Sequence, residues 1–521
     1  ANDTARAVRV RVRSEAVGGR QLADEAVSIP ARSTKRIVRE VPWKDAILWD
    51  TDNPHLYKLK TTLTRGRNVL DVHRDYFGFR EFTIDGHSFH LNGKKIHLFG
   101  QSGHTSPDHD MNIPLEEKMA ILRAWKEKGN VVHIRLHAKP QDKGWVEAAD
   151  RVGMLITTET ALWTTGFHSF DWAGSEEECY ANVRNHFLEA LVRRDRNSPS
   201  VVIWSLSNEM SPITRFDLEN PKMAAMTRAF KRILAETRAE DGSRVIQMSS
   251  AMDFIGNLDM YNLHYPKNWQ AFPDYPHTAY WLDKSFLFPW YGPRRFELPS
   301  WSWRKDKPLY FGEFTCVFGA TPDSQAAIVG DVAFEREDFG TALVNEKLWP
   351  LEIASYRRLD VSGFCAWACM CFTGLKEARK ALQLPPTRAH TYGLRPLAVI
   401  CHTYRARWFA GDEIALELSV HNDTRQARSL DLTLEVTDGR RALWTERMPP
   451  ALYGPAENKA FTSRCRAPAV ARATRLVCRA TLRADGAVAD RWEKEIQVAP
   501  RAMAQKFPAG CGVYDADGSL A

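Results

Sequence analysis

Two apolar runs about a hundred residues apart each end on a glutamate: V-V-I-W-S-L-S-N-E-M (Val201 to Met210) and P-L-Y-F-G-E-F (Pro308 to Phe314). Desolvating a carboxylate at the end of a buried strand is costly, so a chain that does it twice points to chemistry at both places. Two facing carboxyls suit a double displacement at an acetal carbon. One attacks the carbon, and the other hands a proton to the departing oxygen and takes one from water. That is the chemistry of retaining glycoside hydrolysis, and Glu209 and Glu313 are the candidate pair. The bland alternative is two buried partners of structural ion pairs.

The elements around this pair alternate. From Gly86 onward strand and helix patterns take turns. Strands are expected at Ile96–Gly100, Asn130–Leu136, Leu155–Thr160, Val201–Ser207, Arg244–Ser249, Met260–Tyr265, Leu309–Glu313 and Ser362–Ala368. Helices are expected at Leu115–Lys128, Lys143–Val152, Glu177–Arg194, Lys222–Glu240 and Leu348–Leu359. Eight such units over residues 83–395 fit a TIM (β/α)8 barrel. A doubly wound open sheet would show a glycine-rich phosphate turn after strand one, and none is present. Residues 1–82 alternate at period two, as in A-V-R-V-R-V-R (Ala7 to Arg13), and predict five or six strands of an immunoglobulin-like β-sandwich. That is short of a full sandwich, which suggests sequence missing upstream. A second β-sandwich is expected over 396–500, on runs such as E-I-A-L-E-L-S-V-H-N-D from Glu413, followed by a tail over 501–521. The fold class is therefore α/β: a barrel flanked by two immunoglobulin-like sandwiches.

Barrel enzymes gather their reacting groups at the C-terminal ends of the strands, where loops open a cleft above a packed interior. The strand ends here supply His104 after strand one, and Arg135 and His137 on strand two. Glu159 comes from strand three, Asn208 and Glu209 from four, His264 and Tyr265 from six, Glu313 from seven and Trp367 from eight. Only the fifth strand contributes no polar or aromatic group to this rim. Arg135 and Tyr265 are the neighbours expected to keep Glu313 ionised. His133, Arg135 and His137 share one face of strand two by their spacing.

The segment V-R-R-D-R-N-S-P-S-V-V-I-W-S-L-S-N-E-M (Val192 to Met210) resembles the acid/base signature of glycoside hydrolase family 2, the β-galactosidase, β-glucuronidase and β-mannosidase group. So do F-G-F-R-E-F…D-G-H-S-F-H-L-N-G-K-K-I-H-L-F-G (Phe77 to Gly100) and L-W-D-T-D-N-P-H-L-Y (Leu48 to Tyr57). The resemblance spans roughly residues 40 to 370. It implies that Glu209 is the acid/base, Glu313 the nucleophile and Asn208 the donor to the sugar 2-OH. It also implies that Trp367 floors the sugar subsite. The family spacing after Asn-x-Val on strand two falls on His133, so Arg135 departs from the pattern. His104 and His264 either bind sugar hydroxyls or serve as hydrogen-bonded structural histidines. Glu159 either lines the cleft or supports it from behind. The family's N-terminal jelly roll is missing from this sequence.

Composition bounds the rest. The 521 residues carry a formal charge of +7 from dispersed arginines, so a nucleic-acid partner is not expected. No apolar run reaches the length of a membrane span. No metal or other cofactor is expected; the partner is a carbohydrate, and an oligomer is compatible with the sequence. The nine cysteines lack metal-ligand spacing. Cys365, Cys369 and Cys371 read as core residues, and Cys465 with Cys478 would be the pair to bridge in an oxidising compartment; the compartment itself stays open. The long connection from Pro266 to Lys307 holds Trp269, Phe272, Tyr275, Trp281, Trp290, Tyr291, Trp301 and Trp303 among its aromatic residues, suited either to stacking on sugar faces or to packing on each other. Asn345 and Lys347 form the Asn-x-Lys triplet with which glucuronidases of the family hold a carboxylate, but ahead of strand eight rather than after it. A β-galactosidase-like retaining exo-β-glycosidase is the expected activity. The alternatives are a non-catalytic carbohydrate-binding protein or an inactive piece of a larger enzyme.

Overall fold

The computed structural model describes residues 1–16, 18, 20–104, 113–162, 175–209, 221–250, 253, 255–264, 303–314, 322–335, 337–371 and 374–501. The chain forms two compact units, Ala1–Ile353 with Val361–Leu394, and Ala354–Asp360 with Arg395–Ala521.

The first unit opens with a four-stranded antiparallel sheet of Val8–Ala16, Arg20–Ile29, Tyr57–Arg65 and Asn68–Phe77, with the first strand between the second and third. In the first strand Val10 and Ala16 are buried while Arg9, Arg11 and Arg13 face solvent, as the alternation requires. Among the described residues this sheet has four strands where the sequence suggested five or six. Residues 34–56 carry only one isolated bridge, Leu48 to Phe79. Pro42 and Pro54 remove ladder donors in that stretch. A small three-stranded sheet follows at Phe82–Asp85, Ser88–Leu91 and Lys94–Ile96. Its second turn is Asn92-Gly93, both at positive φ (52° and 73°), the geometry that lets a two-residue hairpin match strand twist.

The barrel is an eight-stranded parallel sheet. In chain order its strands are Leu98–His104, His133–Leu136, Leu155–Glu159, Val201–Asn208, Val245–Ser249, Tyr261–His264, Leu309–Phe314 and Gly363–Cys371. Each pairs with its neighbours except at one seam, between strands five and six. There, single bonds replace the ladder. Asp259 donates its N–H to Ile246 O (3.1 Å) and accepts the Ile246 N–H on Oδ2 (2.8 Å), and Asn262 donates to the Gln247 side chain. Strands two to seven are almost wholly buried, which is why they read as continuous apolar runs. Phe89, Leu91 and Ile96 of the small sheet share one buried cluster with Leu98, Leu155, Ile203, Val245 and Tyr310 of the barrel.

Helices close the units where capping chemistry ends them. Leu115–Gly129 carries Glu116 and Glu117 in its first turn, Lys126 and Lys128 in its last, and stops at Asn130 with φ 54°. Lys143–Val152 stops at Gly153, φ 77°. The single helix expected at Glu177–Arg194 is instead an α-helical turn set Glu176–Val183, a π-helical stretch Arg184–Val192 and a short α-helical Arg193–Asp195. Two helices after strand eight, Leu375–Ala381 and Pro385–Gly393, were not expected. The second begins on Pro385-Pro386, and proline at a first helical turn loses no hydrogen bond.

The second unit is a sandwich. One sheet holds Leu397–Cys401, Glu413–Asn422 and Glu457–Arg466; the other holds Arg407–Phe409, Arg428–Thr437, Ala442–Tyr453, Thr474–Ala484 and Ala487–Ala499. Ile414, Leu416, Leu418 and Val420 meet Leu430, Leu432, Leu434 and Val436 in its core. Cys465 and Cys478 are both free thiols there, so the suggested bridge is not formed. No helix among the described residues is long and apolar enough to cross a membrane.

Candidate active site

The site is built upward from the middle of the barrel. His133 accepts or donates to the Tyr310 hydroxyl through Nδ1 (3.0 Å) and meets Thr157 Oγ1 through Nε2 (2.9 Å); Tyr310 also lies 2.8 Å from Cys365 Sγ. Burial, reinforced by Arg135, pushes the His133 pKa down to about 3. Burial lifts Tyr310 well above its ordinary range and Cys365 to about 12. This layer is therefore neutral at working pH.

One strand-step higher, a buried arginine and two glutamates gather among neutral hydrogen-bonding side chains. Arg135, wholly buried, donates through Nη1 to Glu313 Oε1 (2.6 Å) and through Nη2 to Asn208 Oδ1 (2.6 Å). Nη1 also reaches Gly312 O (3.4 Å), and the other contacts go to Glu159: Nη2 to Oε1 (2.7 Å) and Oε2 (3.0 Å), Nε to Oε2 (3.2 Å). Burial opposes the guanidinium charge, but the carboxylates of Glu159 and Glu313 outweigh it and hold its pKa above the ordinary arginine value. Glu159 accepts three further bonds, from Ser205 Oγ (2.8 Å), Ser249 Oγ (2.6 Å) and the Ala138 N–H (2.7 Å).

The rim comes next. Strand four ends at Asn208, and Glu209 stands just beyond it at φ 47°, a left-handed conformation that a β-carbon disfavours. Two bonds pin the turn: Asn208 N–H to Leu162 O (2.8 Å) and Glu209 N–H to Ser249 O (3.0 Å). The Glu209 carboxylate retains 12% exposure, against 2% for Glu313. His264 Nδ1 lies 2.9 Å from Glu209 Oε1 and 3.6 Å from Glu313 Oε1. The nearest atoms of Glu209, His264 and Glu313 all fall within 4.8 Å of one another. Such a group can bracket a cation, but Arg135 already places a fixed positive charge on Glu313. The trio is better suited to handling protons. His137 Nε2 is 3.4 Å from Glu313 Oε1, and its ring meets Trp367 at 4.4 Å between centroids.

The structure thus brings together Arg135, His137, Glu159, Asn208, Glu209, His264, Glu313 and Trp367. Tyr265 lies outside the described residues, as do most of the aromatics between Pro266 and Lys307. His104 closes strand one, and its side chain is outside the described set too. Trp303 is described and buried, its indole N–H donating to Lys307 O (2.9 Å). Asn345 and Lys347 lie within the helix Glu337–Arg358. The sequence reading missed Ser205 and Ser249, and it wrongly left strand five without a contribution. Serines recurring in otherwise apolar strands (Ser205, Ser207, Ser249) were the available signal, since a buried hydroxyl needs a partner.

A parallel barrel with one glutamate at the end of strand four and another at the end of strand seven is the scaffold of a barrel glycoside hydrolase. The chain belongs to glycosyl hydrolases family 2: the family's TIM barrel domain model matches residues 82–320, and a second model of the family matches residues 1–80. A β-galactosidase of Thermoanaerobacterium thermosulfurigenes is 29% identical over 214 residues, which is 41% of this chain and 28% of that protein. Two solved structures share the fold at low identity. The β-D-mannosidase of Dictyoglomus thermophilum has a TM-score of 0.64 at 14% identity, covering 96% of this chain and 63% of that one. The exo-chitosanase of Amycolatopsis orientalis has a TM-score of 0.62 at 15% identity, covering 95% and 60%. The chain therefore spans less than two thirds of the length of each.

Proposed function

We propose that this chain carries the catalytic centre of a retaining β-glycosidase in which Glu313 is the nucleophile and Glu209 the acid/base. The observation that carries the reading is the approach of the two carboxylates to within 4.8 Å, oxygen to oxygen. That spacing suits direct attack on the anomeric carbon, whereas inversion needs roughly 6.5–9.5 Å to admit a water. Arg135 at 2.6 Å favours ionised Glu313, as a nucleophile requires. Glu209 is the more exposed of the two and turns toward the cleft on its left-handed residue, where a leaving oxygen can reach it. Asn208 has its Oδ1 taken by Arg135, while its buried Nδ2 has no partner among the described residues. A donor left so costs about 1–3 kcal/mol, which a sugar 2-OH would offset. Binding alone would need no carboxyl pair, so a non-catalytic role leaves the arrangement unexplained.

Among sugars, β-galactosides come first, on the likeness to the β-galactosidase named above. A panel of β-configured chromogenic glycosides tests both points. One member should turn over, and Glu313→Gln should abolish that turnover in a folded protein, because an amide cannot attack the anomeric carbon. Parental rates in the variant would remove Glu313 from the role.

A further inference from the structure

Glu159 is a buried charge that the double displacement does not use. Both its oxygens are taken by the protein, by Arg135, Ser205, Ser249 and the Ala138 N–H, and the residue is 0% exposed. It is therefore closed to a sugar hydroxyl. Its partner Arg135 has three side-chain clients, Glu159, the candidate nucleophile Glu313 and the candidate 2-OH donor Asn208, besides the Gly312 carbonyl. A guanidinium is rigid and planar, so fixing one edge fixes the directions of all its other N–H groups. Here Nε and Nη2 are held on Glu159, which aims Nη1 at Glu313 and a second bond of Nη2 at Asn208.

We propose that Glu159 is a positioning residue that sets, through Arg135, both the readiness of the nucleophile and the recognition of the substrate 2-OH. This rests on the glycosidase reading above. The two serines complete the device. Their hydroxyls stabilise the Glu159 charge from strands four and five, and so govern how much of Arg135's field is left for Glu313.

The signs follow. With Glu159 neutralised, Arg135 has Glu313 as its one remaining carboxylate, and a like charge beside Glu313 disappears. Glu313 then ionises at lower pH and becomes a weaker nucleophile. Removing the serine hydroxyls does the reverse: a less solvated Glu159 draws harder on Arg135, and Glu313 ionises at higher pH. Among the described residues the other titratable groups facing Glu313 include His137, His264, Glu209 and Cys365, and none of them is replaced by these substitutions.

The test compares the parent with Glu159→Gln and with Ser205→Ala/Ser249→Ala in one chain, using whichever chromogenic glycoside the parent accepts. Glutamine keeps the shape of Glu159, but its NH2 must face donors of Arg135 in either orientation, together with the serine hydroxyls or with the Ala138 N–H, so the grip on the guanidinium is loosened as well as neutralised. The acidic limb of kcat/KM should move down by about one pH unit in Glu159→Gln and upward in the double serine variant. In Glu159→Gln, kcat should fall about 10²-fold with KM little changed, as for a misplaced reacting group. Its preference for the substrate over the 2-deoxy analogue should shrink at the same time, because Asn208 has lost its fixed orientation. A merely structural Glu159 would lower activity and leave the limb and the 2-OH preference where they were. Should Glu159→Gln not fold, the upward limb shift in the serine variant carries the test alone. An unmoved limb in every folded variant overturns the proposal. If instead the parent cleaves no glycoside, or Glu313→Gln retains activity, the glycosidase reading itself has failed.

Discussion

At the residue scale the two glutamates differ more than their sequence settings suggest. Both close apolar strands, yet Glu313 is sealed against Arg135, while Glu209 sits past its strand on a left-handed residue and touches His264. That asymmetry predicts how each responds to truncation. In the proposed roles, Glu209→Ala removes the proton donor and leaves attack by Glu313 possible. Aryl glycosides with poor leaving groups should then slow by about 10²–10⁴ more than dinitrophenyl glycosides, which depart without protonation. Azide, which needs no general base, should restore part of the turnover and yield a β-glycosyl azide. Equal losses on both substrates with no azide effect would give Glu209 a binding role instead. The sequence marked both glutamates because a charge ending an apolar strand is conspicuous. It also pointed to Arg135 as a neighbour of Glu313, although the family spacing falls two residues earlier on His133, and the 2.6 Å contact agrees. Strand spacing placed His133 and Arg135 on the same face, and only their heights in the barrel separate a neutral core layer from the charged one.

At the element scale, close approach is enforced by glycines. A β-carbon on Gly100 of strand one would lie 1.9 Å from His133 O of strand two, which is backbone and cannot swing away. On Gly312 of strand seven it would meet Asn262 Oδ1 at 2.5 Å and His264 Nε2 at 2.7 Å, both on strand six. Gly100→Ala should therefore act on the fold, lowering stability by about 1–3 kcal/mol or more and depressing Tm. Gly312→Ala should act on the site, cutting kcat/KM about 10²-fold through a displaced His264 while costing less stability. Thermal melts and kinetics on the two variants decide it; the reverse ranking would mean that strand six yields without disturbing the site. The eight barrel strands were legible because they are short, apolar and separated by helical periodicity. Where no such contrast existed the reading failed. The three-stranded sheet at 82–96 hides in two tight turns, and the helix at Pro385 hides behind prolines that suggest a loop. The π-helical stretch keeps an ordinary helical pattern in its sequence.

At the scale of the first unit, three buried groups with displaced pKa values shape the response to acid. Burial pushes His133 and His390 each down to about 3, and pushes Asp150 up to about 7 against hydrogen bonds from Ser200. Between about pH 4 and 6.5 the unfolded chain protonates both histidines and ionises Asp150, whereas the folded unit does neither. Unfolding then takes up two protons and releases one. Stability should rise with pH by about 1.4 kcal/mol per unit across that window, then ease off as only Asp150 still opposes folding up to about pH 7. Urea unfolding at pH 4.5, 5.5 and 6.5 measures the slope. A stability that is flat or that grows on acidification would contradict the buried neutral histidines.

The seam between strands five and six has a mechanical consequence. Strands four and five lie on one side of it, six and seven on the other, and each side carries one of the two glutamates. The barrel is thus a spring clip whose jaws hold the carboxylates, with Asp259, Asn262 and Gln247 acting as the clasp. Play in the clasp is expected to reach the gap between the jaws, and the proposed double displacement tolerates little error in that gap. Opening Asn262 with an alanine should then quicken amide exchange along Val245–Ser249 and Tyr261–His264 and slow the chemistry in step. Faster exchange with undiminished turnover would show that the gap is gauged elsewhere.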